Sequence, residues 1–323
     1  MTDAKPRRRR FYPLLYSLLP LLIFLLFAAG LRWTNEHKHW LALIPVAVVG
    51  VVILQMLLSI AAALIFRRHY QFRIRTLLVL TAAAAVAFSW LAVERTQAAK
   101  QQAVVEAIVK LGGSVTYDGL TMTGEMPGPA WLQKLLGTDF FMAVGGVRLD
   151  KTKVADADLE NLKELSQLHW LFLDDTNITD AGLAHLGGLT KLQALTLSRT
   201  RITDAGLTSL KGLTRLYSLM LIGTEVTDAG LEHLTGLTQL GSLMLQDTKV
   251  TDAGLARLEG LPQLQWLGLG GTGVTDAGLE RLRGLAQLQS LFLSGTKVTA
   301  AGVKKLQLAL PKCNICRGAM AGG

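Results

Sequence analysis

The sequence predicts an α/β solenoid of about seven 24-residue units, preceded by three α-helical transmembrane segments. Three observations predict it. A threonine recurs at Thr152, Thr176, Thr200, Thr224, Thr248, Thr272 and Thr296, always 24 residues on and with no insertion. Leucines follow one rule inside each unit, as at Leu183, Leu186, Leu189, Leu192, Leu195 and Leu197. The first 93 residues hold three uncharged apolar runs bracketed by basic residues.

The membrane segments are argued from length and charge. The runs 11–31, 41–66 and 76–93 carry no ionisable residue. At about 1.5 Å per residue, even the 18-residue run 76–93 makes a helix roughly 27 Å long, close to the thickness of a bilayer core. A cleaved leader is the rival reading of the first run; retention is expected, because the run is longer than a usual signal core and no clear small-residue cleavage site follows before the next span. Pro13, Pro20 and Pro45 are tolerable in lipid where neighbouring helices satisfy the freed carbonyls. With no charge inside a span there is no ion pathway, so the spans read as an anchor.

Charge sets the expected orientation. The formal net charge of +9 lies entirely in residues 1–75, which hold 11 Lys or Arg against Asp3 and Glu36. The remaining 248 residues are balanced, with 22 of each sign, which argues against nucleic acid as a partner. Residues 1–10 carry five basic side chains, the loop 32–40 two, and 67–75 four. By the positive-inside rule the N-terminus is cytoplasmic and everything beyond residue 93 is extracytoplasmic. The expected organisation is a basic N-terminus (1–10), a membrane domain (11–93), a juxtamembrane helix and N-terminal cap (94–143), and the solenoid (144–323).

A leucine spacing of three suits a helix and its turn, whereas the closing step from Leu195 to Leu197 suits a strand. Each unit therefore reads as a short strand, a turn and a short helix. Stacked parallel strands lie about 4.8 Å apart, so seven units make a curved rod roughly 30 Å long. The motif TDAGL recurs with the unit. Its aspartates (Asp180, Asp204, Asp228, Asp252, Asp276) are expected to cap the free N–H groups of the helix they begin. The preceding Thr176-type hydroxyls are expected to bond the turn and to form a ladder between units. One carboxylate per unit cannot supply the six to eight oxygens of a calcium site. The first unit carries Asp158 where the glycine belongs and the last carries Ala300 where the aspartate belongs, as capping units would.

The pattern L-x-x-L-x-L-x-x-T-x-[IV] followed by TDAGL resembles the leucine-rich repeat, in the form of the cysteine-containing subfamily and of planctomycete-type bacterial proteins. Upstream, "FRIRTLLVLT", "KLGGSVTYDG" and "PGPAWLQKLLGTDFF" resemble the membrane-anchored members of that bacterial group, although two additional spans depart from their single-anchor plan. The resemblance implies a non-catalytic protein-binding module. Similar repeats in eukaryotic F-box proteins leave a cytoplasmic substrate-recognition adaptor as an alternative, and a structural envelope role is a further one.

If repetition is scaffold, function is expected at positions that vary. Alternation places three columns on the concave strand face, led by Trp170, Arg148 and Asp150. Within them, Trp170, Phe172, Met220, Ile222, Met244, Trp266 and Phe292 are apolar where polar side chains would serve, so they are the expected partner-binding residues. The partner is a protein of unknown identity. No cofactor is implied. The six histidines are scattered and no phosphate loop, metalloprotease or nucleophile motif is present, so no catalytic or metal residue is assigned. Cys313 and Cys316 form a CxxC, too few thiols for zinc by themselves; capping is the expected role, with a local disulfide left open.

Overall fold

The structure, a computed structural model, describes residues 74–118 and 137–318. Two compact bodies divide the chain, one of residues 1–96 with 119–141, the other of residues 97–118 with 142–323. The described part of the first body is the start of a long helix, α1 (Ile74–Lys110), together with the short helix Thr138–Phe141. Among the described residues no helix is long and apolar enough to cross a membrane. The expected spans 11–31 and 41–66 lie outside the described residues. The third, 76–93, falls within α1, whose side chains there are described only in part.

The second body is a nine-stranded sheet in strict chain order, β1 to β9. Strand β1 (Ser114–Tyr117) runs antiparallel to β2 (Val144–Arg148). All later neighbours are parallel: β3 (Trp170–Phe172), β4 (Ala194–Thr196), β5 (Ser218–Met220), β6 (Ser242–Met244), β7 (Trp266–Gly268), β8 (Ser290–Phe292) and β9 (Asn314–Cys316). Parallel strands need a crossover, and here each is a short helical segment within the 24-residue period: α-helix followed by 3-10 helix between β4 and β5, β6 and β7, and β7 and β8, and a single helix of one kind in the others. From β3 to β8 register advances by one whole unit per strand, so Leu171, Leu195, Leu219, Leu243, Leu267 and Leu291 form one row. These leucines are completely buried, as are those of the intervening helices. The core is thus a continuous leucine ladder that no unit could bury alone.

Both sides of the N-terminal end are covered. Val104 and Ile108 of α1 enter the core, and Gln101 clamps β2 by donating to the Met142 carbonyl (2.8 Å) and accepting from the Val144 N–H (3.1 Å). The helix ends at Gly112, whose φ of +86° allows the chain to reverse into β1. Pairing with β1 removes the open edge that β2 would otherwise present.

The TDAGL motif works differently from the sequence expectation. The helix cap is the threonine before the aspartate: Thr203 Oγ1 accepts from the Ala205 N–H at 3.3 Å. The aspartate instead bridges to the following unit. Asp180 accepts from the Thr203 N–H at 2.9 Å and from the Thr203 hydroxyl at 2.6 Å. The same pair of bonds joins Asp156 to Thr179, Asp204 to Thr227, Asp228 to Thr251, Asp252 to Thr275 and Asp276 to Thr299. A Cβ at Gly206 would collide with the Asp180 carboxylate, so the motif's glycine is the socket into which the neighbouring aspartate fits. The other threonines, of which Thr176 is one, are buried and donate to a carbonyl three residues back (Leu173, 2.7 Å), closing the turn within a unit and forming no ladder.

The two departures at the ends follow from this joint. Asp158 can replace glycine in the first unit because no earlier aspartate needs the socket; its carboxylate accepts from the Ala155 N–H at 2.9 Å. Ala300 can replace aspartate in the unit before β9 because, among the described residues, no later threonine awaits it. That unit keeps Gly302, which receives Asp276.

Candidate functional site

The strands place the variable residues in register across one face. Trp170, Ala194, Ser218, Ser242, Trp266 and Ser290 are successive partners in one column. Arg148, Phe172, Thr196, Met220, Met244, Gly268 and Phe292 are partners in the next. The third column, with Ile222 and Gln246, continues the ladder through bonds such as Arg199 N–H to the Ile222 carbonyl at 2.7 Å. The apolar residues singled out from the sequence therefore fall in adjacent columns across the sheet.

Their surroundings differ. Trp170 is 41 % exposed, with the His169 ring centroid 5.9 Å away. The Arg148 guanidinium lies 4.6 Å from the centre of the Phe172 ring, a cation–π contact that covers part of that ring. Met220 and Met244 are direct cross-strand partners and both are half-buried. Flexible thioethers side by side make a surface that adapts to the shape laid on it. Gly268 leaves a gap beyond Met244, and the Gln246 side chain folds into it, where a Cβ would clash with its amide. Gln246 Nε2 reaches Met244 Sδ at 3.7 Å, while its buried Oε1 has no hydrogen-bond partner.

Sequence reasoning missed Tyr217, which precedes the first column. Its ring lies over Gly241, where a Cβ would strike it, and meets the Trp266 ring edge-on at 6.2 Å. Tyr217 is as exposed as Trp170, at 41 %. The signal was available: residues 193, 217, 241, 265 and 289 read Gln, Tyr, Gly, Gln, Gln, so the one large ring precedes the one missing side chain.

Acidic groups cluster at the β2–β3 end. Asp150 accepts from the Asp174 N–H (3.0 Å) and Asp174 from the Ser198 N–H (2.6 Å). Burial pushes the Asp150 carboxyl above the usual range, outweighing the Asp174 N–H that opposes it. Asp175 is held below its usual range by its paired hydrogen bonds with Arg199. Among the described residues no group of three or more His, Cys, Asp or Glu could hold a metal ion.

The two cysteines are separate thiols. Cys313 is a core residue, its thiol raised to about 11, first by burial and then by Cys316. Cys316 stands in β9 as the register partner of Phe292.

A parallel sheet on one side, short helices on the other and a leucine interior define a leucine-rich-repeat solenoid. No described protein family matches the chain, and no curated protein does. Among solved structures it is similar to an internalin (inlF) of Listeria monocytogenes, at 24 % identity and a TM-score of 0.40 over 50 % of this chain and 51 % of that one. It is also similar to internalin C2 of the same organism, at 25 % identity and a TM-score of 0.42 over 53 % and 80 %. The chain thus spans about half the length of the first of these.

Proposed function

We propose that the chain is a membrane-anchored, non-catalytic protein-binding module that holds its partner on the concave face of an extracytoplasmic solenoid. One observation carries the reading: Trp170, Tyr217 and Trp266 edge a face whose middle is Phe172, Met220, Met244 and Phe292, with Ile222 beside them. Aromatics and methionines recurring along one face of a parallel sheet, interrupted at Thr196 and Gly268, are the side chains enriched in interface cores. Anchoring is supported by the uncharged runs 11–31, 41–66 and 76–93, by the alternation of basic flanks, and by the exposure of Phe88 and Val93 on the first part of α1. The resemblance to membrane-anchored planctomycete-type repeat proteins points the same way. In this reading residues 11–93 are the membrane domain, 94–143 the juxtamembrane helix and cap, and 144–323 the solenoid.

Two measurements test the two halves of the proposal. Protease added to spheroplasts should digest the solenoid without detergent; digestion only after lysis would put it in the cytoplasm and favour a substrate-recognition adaptor. Cross-linking capture should lose its specific protein in the variant Met220→Asp plus Met244→Asp, with the fold unchanged. Retention of that protein by the double variant would remove the concave face from the function.

A further inference from the structure

The charge balance of the solenoid conceals a strong asymmetry. After Glu280 the sequence holds seven basic residues, Arg281, Arg283, Lys297, Lys304, Lys305, Lys312 and Arg317, and no acid. The helix Ala300–Ala309 concentrates this charge. It is ten residues long where the corresponding α-helices of earlier units have four or five. Gly302 and Leu306 face the core, while Ala301, Lys304, Lys305 and Leu308 are exposed at the spacing of one helix face. Lys312 lies past the helix end, in the turn after Leu310, and is also exposed.

Leu308 is 81 % exposed, far more than any other large apolar side chain of the solenoid body. Lys304 and Lys305 precede it by one turn of the same helix. Glu280 draws in the neighbouring unit, meeting Lys305 at 2.6 Å and Arg283 at 3.0 Å. Those two bonds hold the Glu280 carboxyl below its usual range, Lys305 contributing more than Arg283. Arg281, Lys304 and Lys312 have no ion-pair partner among the described residues.

We propose that this closing unit docks on an anionic lipid surface, with Lys304, Lys305 and Lys312 at the headgroups and Leu308 entering the acyl boundary. Composition favours lipid over the alternatives: an exposed leucine beside lysines on one short helix offers headgroup pairing and an apolar side chain to insert. A polyanion such as nucleic acid would use the lysines and leave Leu308 wet. A second copy of the chain is disfavoured because Glu160 and Glu164, acids of the first unit, are already paired with Lys163 and Lys100. Basic residues near an anionic membrane each strengthen attachment by about fivefold, and one inserted leucine adds to that.

The test uses the full chain in neutral phosphatidylcholine nanodiscs and fluorescent vesicles of phosphatidylcholine with or without 30 % phosphatidylglycerol, separated by flotation. The anionic vesicles should capture the wild type in a salt-sensitive way. Lys304→Ser plus Lys312→Ser should weaken capture at least tenfold, and Leu308→Ser alone several-fold. These side chains are exposed, so an unchanged circular dichroism spectrum is required of both variants. The concave-face variant Met220→Asp plus Met244→Asp should bind vesicles normally, which separates this surface from the proposed protein site. Capture unchanged in both cap variants overturns the proposal. So does capture that falls with the lysines and is indifferent to Leu308→Ser, the pattern of electrostatic adsorption with no insertion.

Discussion

Asp180, Thr203 and Gly206 act as one joint, and each residue has a single physical reason. The carboxylate is short enough to reach one unit along, the threonine offers two donors to it, and only glycine leaves room for its oxygen. A serine or alanine at the glycine would push the carboxylate off its donors and strand the Thr203 N–H. Gly206→Ala is therefore expected to destabilise the solenoid by about 1–3 kcal/mol, as overpacking of a tight interior does. Chemical denaturation reads this directly. Asp180→Ala should cost less in a Gly206→Ala background than in the wild type, because the added Cβ has already displaced the carboxylate from its donors; equal losses in the two backgrounds would refute the joint.

At the scale of the element, a residue with left-handed backbone stands three positions past the end of each strand from β2 to β8. Lys151, Asp175, Arg199, Gly223, Asp247, Gly271 and Gly295 occupy successive copies of this position, with φ between 55° and 72°. Glycine is unstrained there, and the other four stand at a cost of roughly 1 kcal/mol each. Asp175 and Arg199 offset part of theirs by pairing with each other along the column. Gly271→Ala should lower stability by about 1 kcal/mol through the same strain, aggravated by the Asp247 carboxylate beside it. A thermal melt with no shift would show that the turn relaxes freely. The strands themselves are only three residues long, so their order comes from stacking and they would not persist as single units.

The whole molecule should respond to acid through its carboxylates. Asp175, Asp276 and Glu280 are held low by Arg199, by Thr299 and by Lys305 with Arg283 respectively. A folded pKa below the unfolded value means that the ionised form favours the fold. That stability is present above the ordinary values of 3.8 and 4.5 and is lost as pH falls through the lowered ones. Asp150 runs the other way: its raised pKa gives a contribution present below 3.8 and lost as pH rises, so it opposes folding at neutral pH. Thermal midpoints measured from pH 6 to pH 2 should fall, and Asp276→Asn should melt below wild type at pH 6 yet converge with it near pH 2. Parallel curves would show that the Asp276–Thr299 joint carries no pH dependence.

The sequence by itself determined the repeat, its length, its leucine interior and the columns of the concave face. A 24-residue period without insertion admits one stacking, and alternation along a three-residue strand then decides which side chains face out. Trp170, Phe172, Met220, Ile222, Met244, Trp266 and Phe292 were legible for that reason. What only the tertiary structure decided are relations between units. TDAGL looked like a self-contained cap, because a sequence shows Asp180 at the start of its own helix and 23 residues from Thr203, whereas stacking brings the distant pair to 2.6 Å. Tyr217 gained its place only once Gly241 was seen to lie beneath its ring. Leu308 falls outside the leucine rule, and only the structure shows it outward on the face that carries Lys304 and Lys305. Periodicity fixes what each unit does alike; contacts across the period fix where units differ, and those depend on distances that chain order does not contain.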